Sequence, residues 1–325
     1  MRMPNVGPLP VDLHVQQLKR RPVSSLPTMD LEEASERIIH CLKRMKQDAG
    51  SGLLWEGKTI RVGTRFSGIG AVEEGLCILE KHTPSKFQVK YACDIDEDCF
   101  NFYRSRFSPS QQFHYFSNVM DVVNVDPTIS KLTFLEKQKV VEGLTIKKRA
   151  ICKCHKKECT IPGVLMDVSG SICKDYSPQG QQKGVEGVHA LSMLVRNAEL
   201  RRRKVPLRIS ENVVSAEGQK AIASSMSDCD LKYVITMCED RDAGYGAVRR
   251  DRGWLAGVCP PLAWVKDPNE TYQKLCAFLS EKQVSQDKLW FADGKDDILQ
   301  KELQTSATRF RPYENGIDLY PASIV

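Results

Sequence analysis

What the sequence lacks narrows it first. No run of about eighteen apolar residues occurs, so no membrane-spanning helix is expected. The opening "MRMPNVGPLPVDLHVQQLKRRPV" lacks the apolar stretch of a secretory signal, and a soluble, intracellular protein is therefore expected. There is no internal repeat and no low-complexity tract, and after Val258 even the hydrophobic periodicity fades. A disulfide framework is also missing. The 12 cysteines stand scattered and single rather than packed into a small secreted module, which points to a reducing compartment and free thiols.

What is present is a chain of 325 residues, 41% hydrophobic, enough for one large α/β domain with a small addition. The formal charge of +6 is modest but concentrated in blocks: "IKKRAICKCHKK" (146–157), "LRRRK" (200–204) and "VRRDR" (248–252). Such blocks suit a polyanion, although most charge runs are solvated faces.

Residues 1–29 read as a flexible arm rich in proline, with "LKRRP" a weak nuclear-targeting pattern. Residues 30–55 hold an amphipathic helix capped by Asp30. From residue 59 the pattern alternates. Strands are predicted over 59–66, 87–94, 112–119, 163–168, 205–213 and 232–240, with helices over 71–82, 96–106, 187–203 and 217–228. That alternation predicts a doubly wound, mostly parallel sheet. Residues 124–162 interrupt it with a Lys-rich helical segment, "YGAVRRDRGWLAGV" reads as hairpin-like, and 259–325 form a short C-terminal region.

Four motifs fall at predicted strand ends. "RFSGIG" leaves a strand at Phe66 and enters a helix through Gly68 and Gly70, letting backbone approach a ligand; its spacing is not that of a dinucleotide site. Asp94, at the end of the next strand, is placed to accept hydrogen bonds from ribose hydroxyls, and the amide of Asn118, one strand further, to reach an adenine edge. Cys173 follows a strand on a glycine-spaced loop, where open α/β folds bind ligands, and is a candidate nucleophile. Cys41, Cys77, Cys99, Cys229 and Cys238 read instead as buried structural thiols. "ENV" (211–213) ends another strand, and Arg250 and Arg252 come later.

In this order, "FSGIG" (66–70), "SGSICKDYSPQGQQKG" (169–184), "ENV" and "YGAVRRDRGWLAG" (245–257) resemble the motifs of the cytosine-5 DNA methyltransferases over residues 58–258. The resemblance implies a class I S-adenosylmethionine-dependent methyltransferase fold, with S-adenosyl-L-methionine as cofactor and DNA as partner, RNA being the nearest variant. It implies that Cys173 attacks C6 of a flipped cytosine, activating C5 toward the sulfonium methyl. Glu211 would bond N3 and N4, Arg252 would hold O2, and Arg250 would lie near a phosphate. Phe66, Ser67, Gly68, Ile69, Gly70, Asp94, Ile95, Asn118 and Val119 would form the cofactor site, and a nucleus is expected if the source is eukaryotic. Ile172 stands where the family has proline, Lys174 where it has glutamine, Ala71 where it has glycine, Thr64 where an acid is common and Val248 where it has glutamine. These departures and the short C-terminal region leave a second reading, a catalytically inactive nucleic-acid-binding or regulatory module.

"CKCHKKEC" offers Cys152, Cys154, His155 and Cys159 as metal ligands, but zinc sites normally space their ligand pairs more widely. An exposed basic loop without metal is the expectation there.

Overall fold

The computed structural model describes residues 28–29, 36–37, 39–40, 43, 57–107, 113–171, 175, 183–187, 189–213, 216–238, 250–264, 266–279 and 283–284. Short strand β1 (Thr28–Met29) pairs in parallel with β11 (Gln283–Val284) at the other end of the chain, so the end of the proline-rich arm meets the C-terminal region. Between them lies a nine-stranded sheet.

Its central strands are β2 (Thr59–Arg65), β3 (Lys86–Cys93), β4 (His114–Phe116), β7 (Met166–Gly170) and β8 (Leu207–Val213), all parallel. They are connected through α1 (Ala71–His82), α2 (Glu97–Phe107) and α4 (His189–Arg202). Their buried positions mix apolar residues such as Ile60, Val62, Ala92, Val168 and Leu207 with polar ones such as Arg65 and Asp167. After α5 (Ala216–Ser225), β9 (Asp230–Cys238) and β10 (Arg250–Val258) complete one side, and β10 runs antiparallel between β8 and β9. On the other side an antiparallel hairpin, β5 (Arg149–Cys152) and β6 (Lys157–Thr160), extends the sheet beyond β4. The order is β6-β5-β4-β3-β2-β7-β8-β10-β9. Without the hairpin this is the arrangement of class I S-adenosylmethionine-dependent methyltransferases, the fold expected from the sequence.

The structure sharpens three readings. Of "YGAVRRDRGWLAGV", residues 250–258 form the single strand β10 between β8 and β9, and 245–249 lie outside the described residues. The stretch 124–162 is only partly helical, with α3 (Phe134–Gly143) fixed by a capping box between Thr133 and Glu136 before the chain turns into β5. Beyond Val258, where the pattern fades, α6 (Pro268–Leu279) forms.

The thiols also differ from expectation. Cys77 is exposed and Cys99 and Cys229 are half-buried, whereas Cys93, Cys152, Cys159 and Cys259 are the buried ones. Cys41 lies outside the described residues, as does the Cys238 side chain.

Beneath the sheet centre lies a buried charge network that hydrophobic periodicity does not reveal. The Asp167 carboxylate accepts from Arg65, from Tyr91 Oη (2.7 Å) and from Arg196 Nη2 (2.7 Å). Glu199 accepts from Arg65 Nη2 and Arg203 Nε, each at 2.7 Å. Burial alone would lower the proton affinity of Arg65, but Asp167 and Glu199 outweigh it and hold the guanidinium above its ordinary range. Two arginines and two carboxylates thus tie β2, β3, β7 and α4 together.

Candidate active site

Parallel strands put all their carboxyl ends on one edge of the sheet, and every loop or strand end singled out in the sequence emerges there. After β2 the chain turns sharply. Phe66 adopts φ 52°, a left-handed conformation that is rare for a bulky residue, and Gly68 (53°) and Gly70 (90°) follow. A Cβ on Gly70 would collide with the Phe107 ring, so this turn accepts only glycine where it enters α1. Ser67 fastens the turn to β3, its N–H donating to Cys93 O (3.1 Å) while its Oγ accepts from Cys93 N (3.0 Å).

Asp94 joins two loops. One carboxylate oxygen accepts from Gly68 N (2.8 Å) and the other from Asp96 N (3.0 Å). Flanking it, Ile69 and Ile95 are 49% and 68% exposed, large apolar side chains beside a polar acceptor. Asn118 follows β4 and caps the short 3₁₀ turn Val119–Val122, its Oδ1 accepting from Met120 N (2.9 Å). That oxygen holds the backbone with one of its two lone pairs, and Val119 is buried.

A second group gathers across β7, β8 and β10. Glu211 lies opposite Gly170 on β7 and Trp254 on β10. Arg252, two residues from Trp254 and hence on the same face, places Nε 2.6 Å from Glu211 Oε1. A Cβ at Gly170 would stand 3.0 Å from Glu211 Oε2, so this glycine leaves room for the carboxylate. Asn212 Nδ2 donates to Ser171 Oγ (2.9 Å), holding the start of the loop that carries Cys173. Further along, Asp175 is buried and accepts from His189 N (2.9 Å) at the start of α4. A Cβ on Gly187 would collide with this carboxylate. Cys173, Ile172 and Lys174, and the side chain of Arg250, lie outside the described residues. Both flanks of the Cys173 loop are nevertheless fixed, by Ser171 and Asp175.

Sequence reasoning missed the tethering roles of Asn212, Asp175 and Gly187. Asn212 had been read only as the neighbour of Glu211, and the pairing of Asp175 with Gly187 has no signal in spacing. A cavity of about 170 Å³ opens elsewhere, between α1, β3 and α2, lined by Glu73, Cys77, Glu80, Tyr103 and Phe107 among others; it contains none of the expected site residues. On its wall Glu73 is buried, accepting from the Thr64 and Tyr103 hydroxyls, and burial raises its pKa above 4.5.

"CKCHKKEC" is not an exposed loop. It is the β5–β6 hairpin, with Cys152 and Cys159 buried.

No protein family or curated protein matches this chain by sequence. Solved structures are similar to part of it. A putative DNA modification methyltransferase encoded within an E. coli prophage is 17% identical, with 62% of this chain matched to 47% of that one at a TM-score of 0.37. The S. pombe Dnmt2 methyltransferase is 13% identical, with 63% matched to 50% and a TM-score of 0.37. A putative RNA methyltransferase of Pyrococcus horikoshii is 9% identical, with 70% matched to 84% and a TM-score of 0.32. The chain spans about half the length of the first two.

Proposed function

We propose that this chain transfers a methyl group from S-adenosyl-L-methionine to C5 of cytosine in DNA. The observation that carries the reading is the pairing of Glu211 with Arg252 against Gly170, where the Cys173 loop leaves the same sheet edge as the Gly68–Asp94 turn.

The residues around that turn fit the cofactor. A carboxylate held by two backbone N–H groups can still accept from ribose hydroxyls, because each oxygen has a second lone pair. Ile69 and Ile95 offer apolar faces for a purine, and the Asn118 amide nitrogen would donate to a ring nitrogen of adenine. When bound, the cofactor supplies an electrophilic methyl. The protein's own part is to place the Cys173 thiolate at C6 of a cytosine turned out of the duplex. Glu211 in its acid form would protonate N3 as charge develops on the ring, and Arg252 would steady O2. The contact between them would hold both side chains until the base arrives. No helix among the described residues is long and apolar enough to cross a membrane.

Two measurements test this. Calorimetry should detect S-adenosylhomocysteine, and Asp94→Ala should weaken it about tenfold, the value of one charge-assisted hydrogen bond. An oligonucleotide containing 5-fluorocytosine should become covalently trapped by the wild type and not by Cys173→Ser, whose cofactor affinity stays intact. Trapping on RNA alone would reassign the substrate. Cofactor binding with no trapping on either would make the chain a binding module with a retired nucleophile.

A further inference from the structure

We propose that the edge hairpin holds a structural zinc ion, bound by His114, Cys152, His155 and Cys159. The set is not the contiguous one that the sequence offers. Cys154 drops out, and a histidine from β4 replaces it.

The backbone brings the four together. Phe116 pairs with Cys152 across β4 and β5, and Cys152 pairs with Lys157 across β5 and β6. His114 lies two residues from Phe116 and Cys159 two from Lys157, so side-chain alternation puts His114, Cys152 and Cys159 on one face of three adjacent strands. The turn between β5 and β6 returns His155 to that face. It is tight because Lys156 takes φ 53° and donates its N–H to Cys152 O at 2.8 Å. Cys154 packs half-buried against the aromatic cluster of Phe100, Tyr103 and Tyr115, and its thiol, although it hydrogen-bonds that of Cys152, is not among the four ligand atoms that all lie within 4.8 Å of one another.

The distances fit a zinc tetrahedron. With Zn–S near 2.3 Å and Zn–N near 2.0 Å, the sulfur-to-nitrogen edge is about 3.5 Å. His155 Nδ1 lies 3.3 Å from Cys152 Sγ and 3.6 Å from Cys159 Sγ. One ligand atom from each of the four residues falls within 4.8 Å of all the others. Independently, His114 Nδ1 is buried with no hydrogen-bond partner, an expensive state for a polar ring nitrogen unless a ligand belongs beside it. The cluster of Asp228, Cys229 and Cys259 differs, because Asp228 is already paired with Arg208 and Arg201.

Charge favours the same assignment. On binding, the two thiols release their protons to solvent and the two thiolates neutralise the dication, while both histidines bind as neutral rings. The resulting site carries no net charge, as suits a place where Cys152 is fully buried. With four protein ligands and no open position the metal is structural. It would fasten the hairpin to β4, the strand that leads into Asn118.

The test uses the full chain. Purified protein should contain about one zinc per molecule by mass spectrometry. His114→Ala and Cys159→Ser should lose it, and Cys154→Ser should keep it. Because a ligand variant can fail to fold, the wild type is also stripped and titrated with cobalt(II), which should give tetrahedral d–d bands with the charge-transfer intensity of two thiolates. No tetrahedral cobalt spectrum, a three-thiolate intensity, or zinc lost from Cys154→Ser and kept in His114→Ala would each overturn the proposal.

Discussion

Gly170 and Glu211 face each other across β7 and β8, and their clearance sets where the carboxylate can point. A methyl group at residue 170 would sit 3.0 Å from Glu211 Oε2, close enough to displace the carboxylate by a few tenths of an ångström without unseating a strand. Gly170→Ala should therefore slow 5-fluorocytosine trapping several-fold while leaving the melting temperature nearly unchanged. Glu211→Gln keeps the shape but removes the acid proton, so the methylation rate should fall about a hundredfold or more with cofactor affinity intact. A rate within twofold of wild type would show that Glu211 is not the acid. Glu73 carries a different expectation. Its folded pKa is raised by burial above the ordinary 4.5, so the folded state binds its proton more tightly than the unfolded chain does. This contribution is fully present below about pH 4.5 and is lost as pH climbs through the folded value. Denaturant titrations at several pH values should show that Glu73→Gln removes this part of the decline.

Among the elements, β7 and α4 depend on each other through charge rather than apolar contact alone. Asp167 is fully buried and pairs with Arg65 and Arg196 together, so removing it leaves Arg196 buried without a carboxylate and Arg65 with Glu199 alone. Asp167→Asn should cost about 3–5 kcal/mol of stability, read as a shift in the urea midpoint at unchanged slope. A loss below about 1 kcal/mol would mean that the network relaxes around the amide. The α2–β4 contact is held by aromatic packing. Tyr103 stacks on Phe113 at 5.3 Å and meets Tyr115 edge-on at 5.4 Å, which fixes the strand that precedes Asn118.

At the scale of the whole molecule, position along the strands separates the basic blocks. Arg201 and Arg202 end α4 and Arg203 follows it, and α4 runs back to where β8 begins, at the amino edge of the sheet and away from the candidate site. Their guanidinium groups are engaged there: Arg201 with Asp228 and Glu142, Arg202 with the Glu142 carbonyl, Arg203 with Glu199. These pairings predict that the block braces the fold rather than meeting a polyanion. If DNA is the substrate, affinity must fall as salt rises, because counterions are released on binding. Replacing all three arginines with glutamine should lower the melting temperature yet leave the slope of log affinity against log salt within about one unit of wild type. A loss of two units or more would return the block to the DNA interface.

By itself the sequence determined the alternation of strands and helices, the α1 boundaries at residues 71 and 82, and the strand-end positions of Phe66, Asp94, Asn118 and Glu211. These are legible because local periodicity and glycine turns are written in neighbouring residues, and parallel strands then send every carboxyl end to one edge. The partnerships that span the sheet were decided only by tertiary structure: Glu211 with Arg252, Asp167 with Arg65 and Arg196, and His114 with the cysteines of the hairpin. Each joins residues far apart in sequence, and hydrogen bonding or charge pairing leaves no period in the chain. Cys154 shows the limit most clearly. Its spacing is as good as that of its neighbours, but it lies in the turn between β5 and β6, and only the course of that turn decides where its side chain goes.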